Sequence, residues 1–160
     1  MRINAGYLFK FSLKSKLFLE IMATFTKTKL ALSLDGAKHV AKAAVAEATN
    51  NGWNITVAIL DEGGNLVYLE RMDGCQTASI QVAQTKADSA FKFKRPTKAL
   101  NEMVASGNIA MMSVPGCLPV EGGLPITVEG QIVGAIGISG VTSAQDGVVA
   151  AAGVRALENM

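Results

Sequence analysis

The chain has 160 residues and a mass of 16.7 kDa, the size of one ordinary domain that needs no disulfide bonds to bury a core. Hydrophobic residues make up 49% of it and charged residues 18%, which excludes a disordered or highly charged tail protein. The net charge of +2 is unevenly placed, because residues 1–21 carry +3 and the remainder sums to −1. With a net charge of −1, the part of the chain after residue 21 lacks the basic face that nucleic-acid binding needs.

The cysteine and histidine inventory limits metal chemistry. Cys75 and Cys117 are the two cysteines, they form no CxxC pair, and His39 is the single histidine. A zinc site of the usual Cys/His type is hard to assemble from that set. Unpaired cysteines without a clear secretion signal favour a cytoplasmic protein. No run approaches the roughly 20 apolar residues of a membrane span, so we expect neither a membrane nor a nucleic-acid partner.

The first residues are predicted to lie outside the domain. The segment is basic and apolar, but lysines interrupt the apolar region of about 7–15 residues that a secretory signal requires. Helical and strand periodicity begins only after Thr26. We predict an unstructured or non-native extension over 1–25, with Met22 as a candidate start, and a single domain over 26–160. Residues 1–21 are expected to contribute nothing to the fold.

The first half of the domain is predicted as a helix followed by a β-hairpin. Ser33 fits a helix N-cap, and alanine and valine follow it at helical spacing as far as Asn50. A short β-branched strand over 54–60 and a second strand over 66–71 flank a turn rich in glycine.

The second half repeats helices and a hairpin. Helices are predicted over about 77–93 and 98–106, followed by a long loop with at most a short strand over 107–123. Next comes a hairpin that turns at Glu129-Gly130. The last helix is predicted to be capped by Thr142 or Ser143, with Asp146 completing a capping box. Hairpins alternating with helices favour an antiparallel sheet covered by helices, the α+β class.

Lys86 stands out on the second helix. At 100° per residue, the buried stripe is predicted to comprise Ile80, Ala83, Ala87 and Phe91, with Lys86 on its flank. A lysine there either extends its ammonium to solvent, which is the favoured interpretation, or presents it to an anion at a pocket rim.

His39 is predicted on the outer face of the first helix. The core stripe centres on Ala37, Ala41 and Ala48, and His39 projects almost oppositely, beside other alanines. An alanine-lined outer face favours a partner helix or a second subunit. His39 is either an ordinary surface or interface histidine, which is the favoured interpretation, or a ligand to a metal or haem held there.

The glycine-rich segment GAIGISG, over 134–140, is a weak candidate anion site. It leads from a strand into a helix N-terminus, whose backbone N–H groups attract carboxylate or phosphate. Close packing of a strand on a helix requires the same glycines, so both interpretations stay open. Arg71 at a strand end is most simply a local partner of Asp73. No nucleophile elbow, catalytic triad, carboxylate pair or P-loop is evident, so we lean against an enzyme.

Several motifs together resemble one family. DEGGNLV (61–67), RMDG (71–74), A-x-x-KA (83–87), FKRPT (93–97), VEGGLPI (120–126) and VGAIGISG (133–140), followed by Asp146, resemble the GlcG/HbpS family, also found as the C-terminal domain of PduO-type proteins. The similarity covers about residues 28–158. It implies a five-stranded antiparallel sheet with flanking helices, profilin-like in outline, and assembly into dimers or larger rings.

The resemblance also implies haem, and in some members iron. We predict a haem-binding accessory protein in which His39 ligates the metal and Arg71 or Lys86 meets the haem propionates. The alternative is a small-metabolite binding protein or weak enzyme, in which Lys86, Thr97 and the turn at 137–140 hold a carboxylate or phosphate. One histidine per chain excludes ligation by two histidines of the same chain.

Overall fold

The computed structural model describes residues 22–158. In chain order the elements are α1 (Leu34–Asn50), β1 (Thr56–Leu60), β2 (Leu66–Arg71), α2 (Ala78–Phe93), α3 (Thr97–Ala105), a 3-10 helix (Ile109–Ser113), β3 (Gly123–Val128), β4 (Gln131–Ser139) and α4 (Ser143–Glu158). This order confirms the α+β class, with helix and strand bounds close to those predicted.

The sheet has four antiparallel strands in the order β2-β1-β4-β3. The expectation of five strands is wrong for the described residues. The segment with room for a further strand, 107–123, instead forms the 3-10 helix and an irregular loop. Pro115 and Pro119 lie in this loop, and a proline has no N–H to donate to a strand ladder.

Helices cover the two central strands on both faces. Adjacent residues of β4 show this arrangement, because the Ile136 side chain meets Gly153 of α4 whereas Gly137 faces the backbone of α2. The larger core lies between the sheet and the pair α1 and α4, and a smaller cluster around Leu60 lies under α2. Every residue of β1 is buried, which fits its largely apolar sequence.

The first helix forms as its sequence predicts. Ser33 has extended backbone angles and its Oγ accepts a hydrogen bond from the Gly36 N–H at 3.1 Å. Ala37, Ala41 and Ala48 are buried in the larger core. Before this helix, residues 22–25 are helical and exposed, so the predicted extension over 1–25 ends in a helical turn. Its other residues, 1–21, lie outside the described part.

The last helix is capped by a different pair from the one predicted. The Thr142 N–H donates to the Gln145 side chain at 3.1 Å, and the Gln145 N–H donates back to Thr142 Oγ1 at 3.4 Å, the reciprocal pattern of a capping box. Asp146 therefore does not complete the box, and its carboxylate has a different partner.

Candidate functional site

Two glycines let α2 lie directly on the sheet. Gly123 and Gly137 are cross-strand partners in β3 and β4. A Cβ at Gly137 would collide with the Ala83 carbonyl oxygen, and one at Gly123 would collide with the carbonyl oxygen of Lys86. The glycines thus serve close helix–sheet packing, and they hold the backbone of Lys86 against the start of β3.

Lys86 is buried and paired with a carboxylate of its own chain. Its side chain retains 2% of its accessible surface, and Nζ donates to Asp146 Oδ2 at 2.7 Å. The favoured expectation of an ammonium in solvent is therefore wrong. A buried ammonium needs a partner of opposite charge, and Asp146 supplies it within the domain.

Asp146 sits at the junction between β4 and α4. Its Oδ1 accepts a hydrogen bond from the Val141 N–H at 3.3 Å. Burial raises the pKa of the Asp146 carboxyl, while the Lys86 ammonium and this N–H act in the opposite direction. Lys86 and the backbone after β4 were predicted to hold the carboxylate of a ligand. In the structure, the carboxylate of Asp146 binds to both of them.

Thr97 of α3 is bonded to Gly123 at the start of β3, beside Lys86. Its Oγ1 accepts from the Gly123 N–H at 2.9 Å and lies 3.4 Å from the Gly123 carbonyl oxygen. Among the described residues, no buried side-chain nitrogen or oxygen lacks a hydrogen-bond partner. The cluster of Lys86, Asp146, Thr97 and Gly123 is therefore satisfied internally, and its evident effect is to fasten α2, α3 and α4 to the end of the sheet.

Arg71 lies at the exposed end of β2. Its Nη1 donates to the carbonyl oxygen of Cys75 at 2.7 Å, so it braces the turn after the strand rather than pairing with Asp73 as predicted. Arg71 is an exposed residue.

His39 lies on the outer surface where α1 packs against α4. It is exposed, and its Nε2 lies 3.2 Å from the Ala156 carbonyl oxygen. A carbonyl can only accept, so Nε2 carries the hydrogen and the neutral ring has its lone pair at Nδ1. Within residues 22–158, no three His, Cys, Asp or Glu side chains are grouped to hold a metal ion.

The four predicted site residues do not form one site. Lys86 and Thr97 both contact Gly123, whereas His39 belongs to a helix on the opposite face of the sheet and Arg71 to an edge strand. The sequence does not predict the partner of Lys86. Asp146 is 60 residues away in sequence, and its helical spacing suggested a cap instead.

A family model for "Haem degrading protein HbpS-like" matches residues 32–155. The chain belongs to the HbpS-like family. It is also 42% identical over 113 residues to protein GlcG of Escherichia coli, a match covering 71% of this chain and 84% of GlcG.

Two solved structures have the same architecture. A double mutant of HbpS from Streptomyces reticuli superposes with a TM-score of 0.76 at 32% identity, covering 83% of this chain and 91% of that one. A PduOC:haem complex superposes with a TM-score of 0.72 at 27% identity, covering 79% and 95%. Over the described part of this HbpS-like chain, no helix has the length and apolarity needed to cross a membrane.

Proposed function

We propose that this chain binds haem and that His39 would ligate its iron. The observation that carries the proposal is the position of its imidazole, which is exposed on a rigid helix and bonded through one nitrogen only. The family description as haem degrading and the haem complex of PduOC support haem as the ligand class. Bound haem would supply an iron centre for redox or oxygen chemistry.

The other strong ligands of the described part are less suited to haem iron. Cys75 is 5% exposed and its Sγ lies 3.5 Å from Thr56 Oγ1, so haem cannot approach it without opening the core. Burial raises the pKa of the Cys117 thiol, which reduces the thiolate that would ligate iron near neutral pH. The imidazole of His39 is exposed, so haem can reach it without opening the core.

The surface around His39 suits a flat, anionic macrocycle. Lys42, Ala43 and Ala46 follow His39 at spacings of three, four and seven residues, so they share its side of α1. The two alanines leave the imidazole unobstructed, and the exposed ammonium of Lys42 is placed to meet a propionate. We assign this role to Lys42 and not to Lys86, because Lys86 is buried and paired with Asp146.

Haem titration tests the ligand directly. We expect the unmodified chain to shift the Soret band of ferric haem to a saturable end point. His39→Ala should abolish the ligated spectrum and weaken binding by at least about tenfold, because the imidazole–iron bond is lost. Cys117→Ser is the matched control and should titrate like the unmodified chain. An unaltered Soret band in His39→Ala would remove His39 from the proposal.

We further propose that the chain forms a homo-oligomer, at least a dimer. The apolar 3-10 segment, in which Ile109 is 69% and Met112 66% exposed, is a surface that a second copy would cover. Light scattering at micromolar concentration should give at least twice the 16.7 kDa of one chain. A monomer mass would contradict this proposal and leave the haem titration unaffected.

A further inference from the structure

A cavity of about 470 Å³ opens at the end of the sheet where both hairpins turn. Its apolar wall comprises Leu30 of the segment before α1, Phe91 of α2 and Ile132 of β4. The Phe91 ring packs so closely on the first hairpin turn that a Cβ at Gly64 would meet it at 2.9 Å. The volume falls in the range of small-ligand sites, about 300–1,000 Å³. His39 does not line this cavity.

The polar lining is predominantly cationic. Lys29, Lys92 and Lys94 line the cavity with one carboxylate, Glu62. Lys92 is already paired with Asp88 at 2.7 Å. The ammonium groups of Lys29 and Lys94 make no ion pair or hydrogen bond among the described residues. Two free cations therefore border an apolar wall.

Lys94 occupies a backbone conformation that favours glycine. It follows the last residue of α2 with φ of 53°. The Arg95 N–H bonds to the Ala90 carbonyl at 3.3 Å and the Lys94 N–H to the Phe91 carbonyl at 3.2 Å, which is a Schellman motif whose left-handed position is usually glycine. Lysine there stabilises the helix end less than glycine would, yet it adds a cation to the cavity rim.

We propose that this cavity binds a small organic anion with an apolar body, its carboxylate or phosphate held by Lys29 and Lys94 and its body against Phe91. This inference goes beyond haem binding and uses none of the residues assigned to it. An ammonium group is a point charge that pairs with either a carboxylate or a phosphate. The apolar wall adds affinity for the body of the ligand, which a bare inorganic ion would not gain.

The proposal is tested by ¹⁹F NMR titration with 4-fluorobenzoate. The neutral isostere 4-fluorobenzamide separates charge recognition from simple apolar adsorption, and phenyl phosphate compared with benzoate as competitors distinguishes phosphate from carboxylate. We expect millimolar or tighter binding of the fluorobenzoate and binding of the amide about tenfold weaker. Equal binding of both probes, or no binding of either anion, would overturn the proposal.

Substitution of Lys94 by glycine separates binding from stability. Lys94→Gly should raise the melting temperature by about 2 °C, because glycine suits the left-handed position, while weakening fluorobenzoate binding by about tenfold. Lys29→Gln should weaken binding similarly. Lys38→Gln, which removes an exposed charge from α1, and His39→Ala should leave the titration unchanged. Unchanged binding in Lys94→Gly, or an equal loss in Lys38→Gln, would refute the assignment.

Discussion

Replacing Lys86 with methionine is expected to lower the free energy of unfolding by about 3–5 kcal/mol, measured by chemical denaturation at neutral pH. Methionine preserves most of the side-chain volume, so the loss comes from electrostatics and not from a cavity. In the variant, the buried carboxylate of Asp146 keeps only the Val141 N–H as a partner. The effect is large because the pair is nearly inaccessible to water, with side-chain exposures of 2% and 3%.

This destabilisation should depend on pH with a definite sign. Burial already raises the pKa of Asp146 above its ordinary value, so the folded state binds this proton more tightly than the unfolded state. The contribution of the Asp146 carboxyl to the free energy of unfolding is therefore fully present at low pH, and it is lost as the pH rises through the pKa of the folded state. Removing Lys86 raises that pKa further. The difference in the free energy of unfolding between Lys86→Met and the unmodified chain should be small near pH 3.5. As the pH rises, it should grow by up to about 1.4 kcal/mol per pH unit.

The double variant Lys86→Met/Asp146→Asn is the control for this explanation. The uncharged amide retains an acceptor for the Val141 N–H and removes the buried charge, so most of the lost stability should return. If the double variant were as unstable as Lys86→Met at every pH, packing rather than the uncompensated charge would be responsible.

Gly137→Ala is expected to be the most damaging single-methyl change, costing about 3 kcal/mol or more. The added Cβ would collide with the backbone oxygen of Ala83 and lie 2.6 Å from the Ala87 nitrogen. Neither is a flexible side chain that can turn aside, so α2 has to move away from the sheet. Thermal unfolding and the soluble yield report the loss, and a shift of less than about 2 °C would contradict the close-packing role.

Gly36→Ala is the matched control, because it also adds one methyl group to a glycine of the domain. The new Cβ would meet the end of the Leu32 side chain at 3.0 Å, which can rotate away. Alanine also favours the first turn of α1 by up to about 1 kcal/mol over glycine. The variant should therefore be as stable as the unmodified chain or slightly more stable.

Local patterns were sufficient for the elements of this fold. The cap at Ser33, the glycine-rich turn between β1 and β2 and the turn at Glu129-Gly130 lie where the sequence predicts them. Each depends on contacts within a few residues, so its energy is readable from the chain itself. The two predicted hairpins account for all four observed strands, and the expected fifth strand came from the family resemblance alone. The order of the strands in the sheet was not readable from local patterns, because strand pairing joins segments distant in sequence.

For the candidate sites, the sequence by itself determined that His39 lies on the outer side of α1, since helical periodicity alone sets its direction. Only the tertiary structure decided that Lys86 is paired with Asp146, that Gly123 and Gly137 serve packing, and that Lys29 and Lys94 border one cavity. A side chain's direction is a local property, whereas its charge partner depends on which distant backbones the sheet and helices bring within a few ångströms.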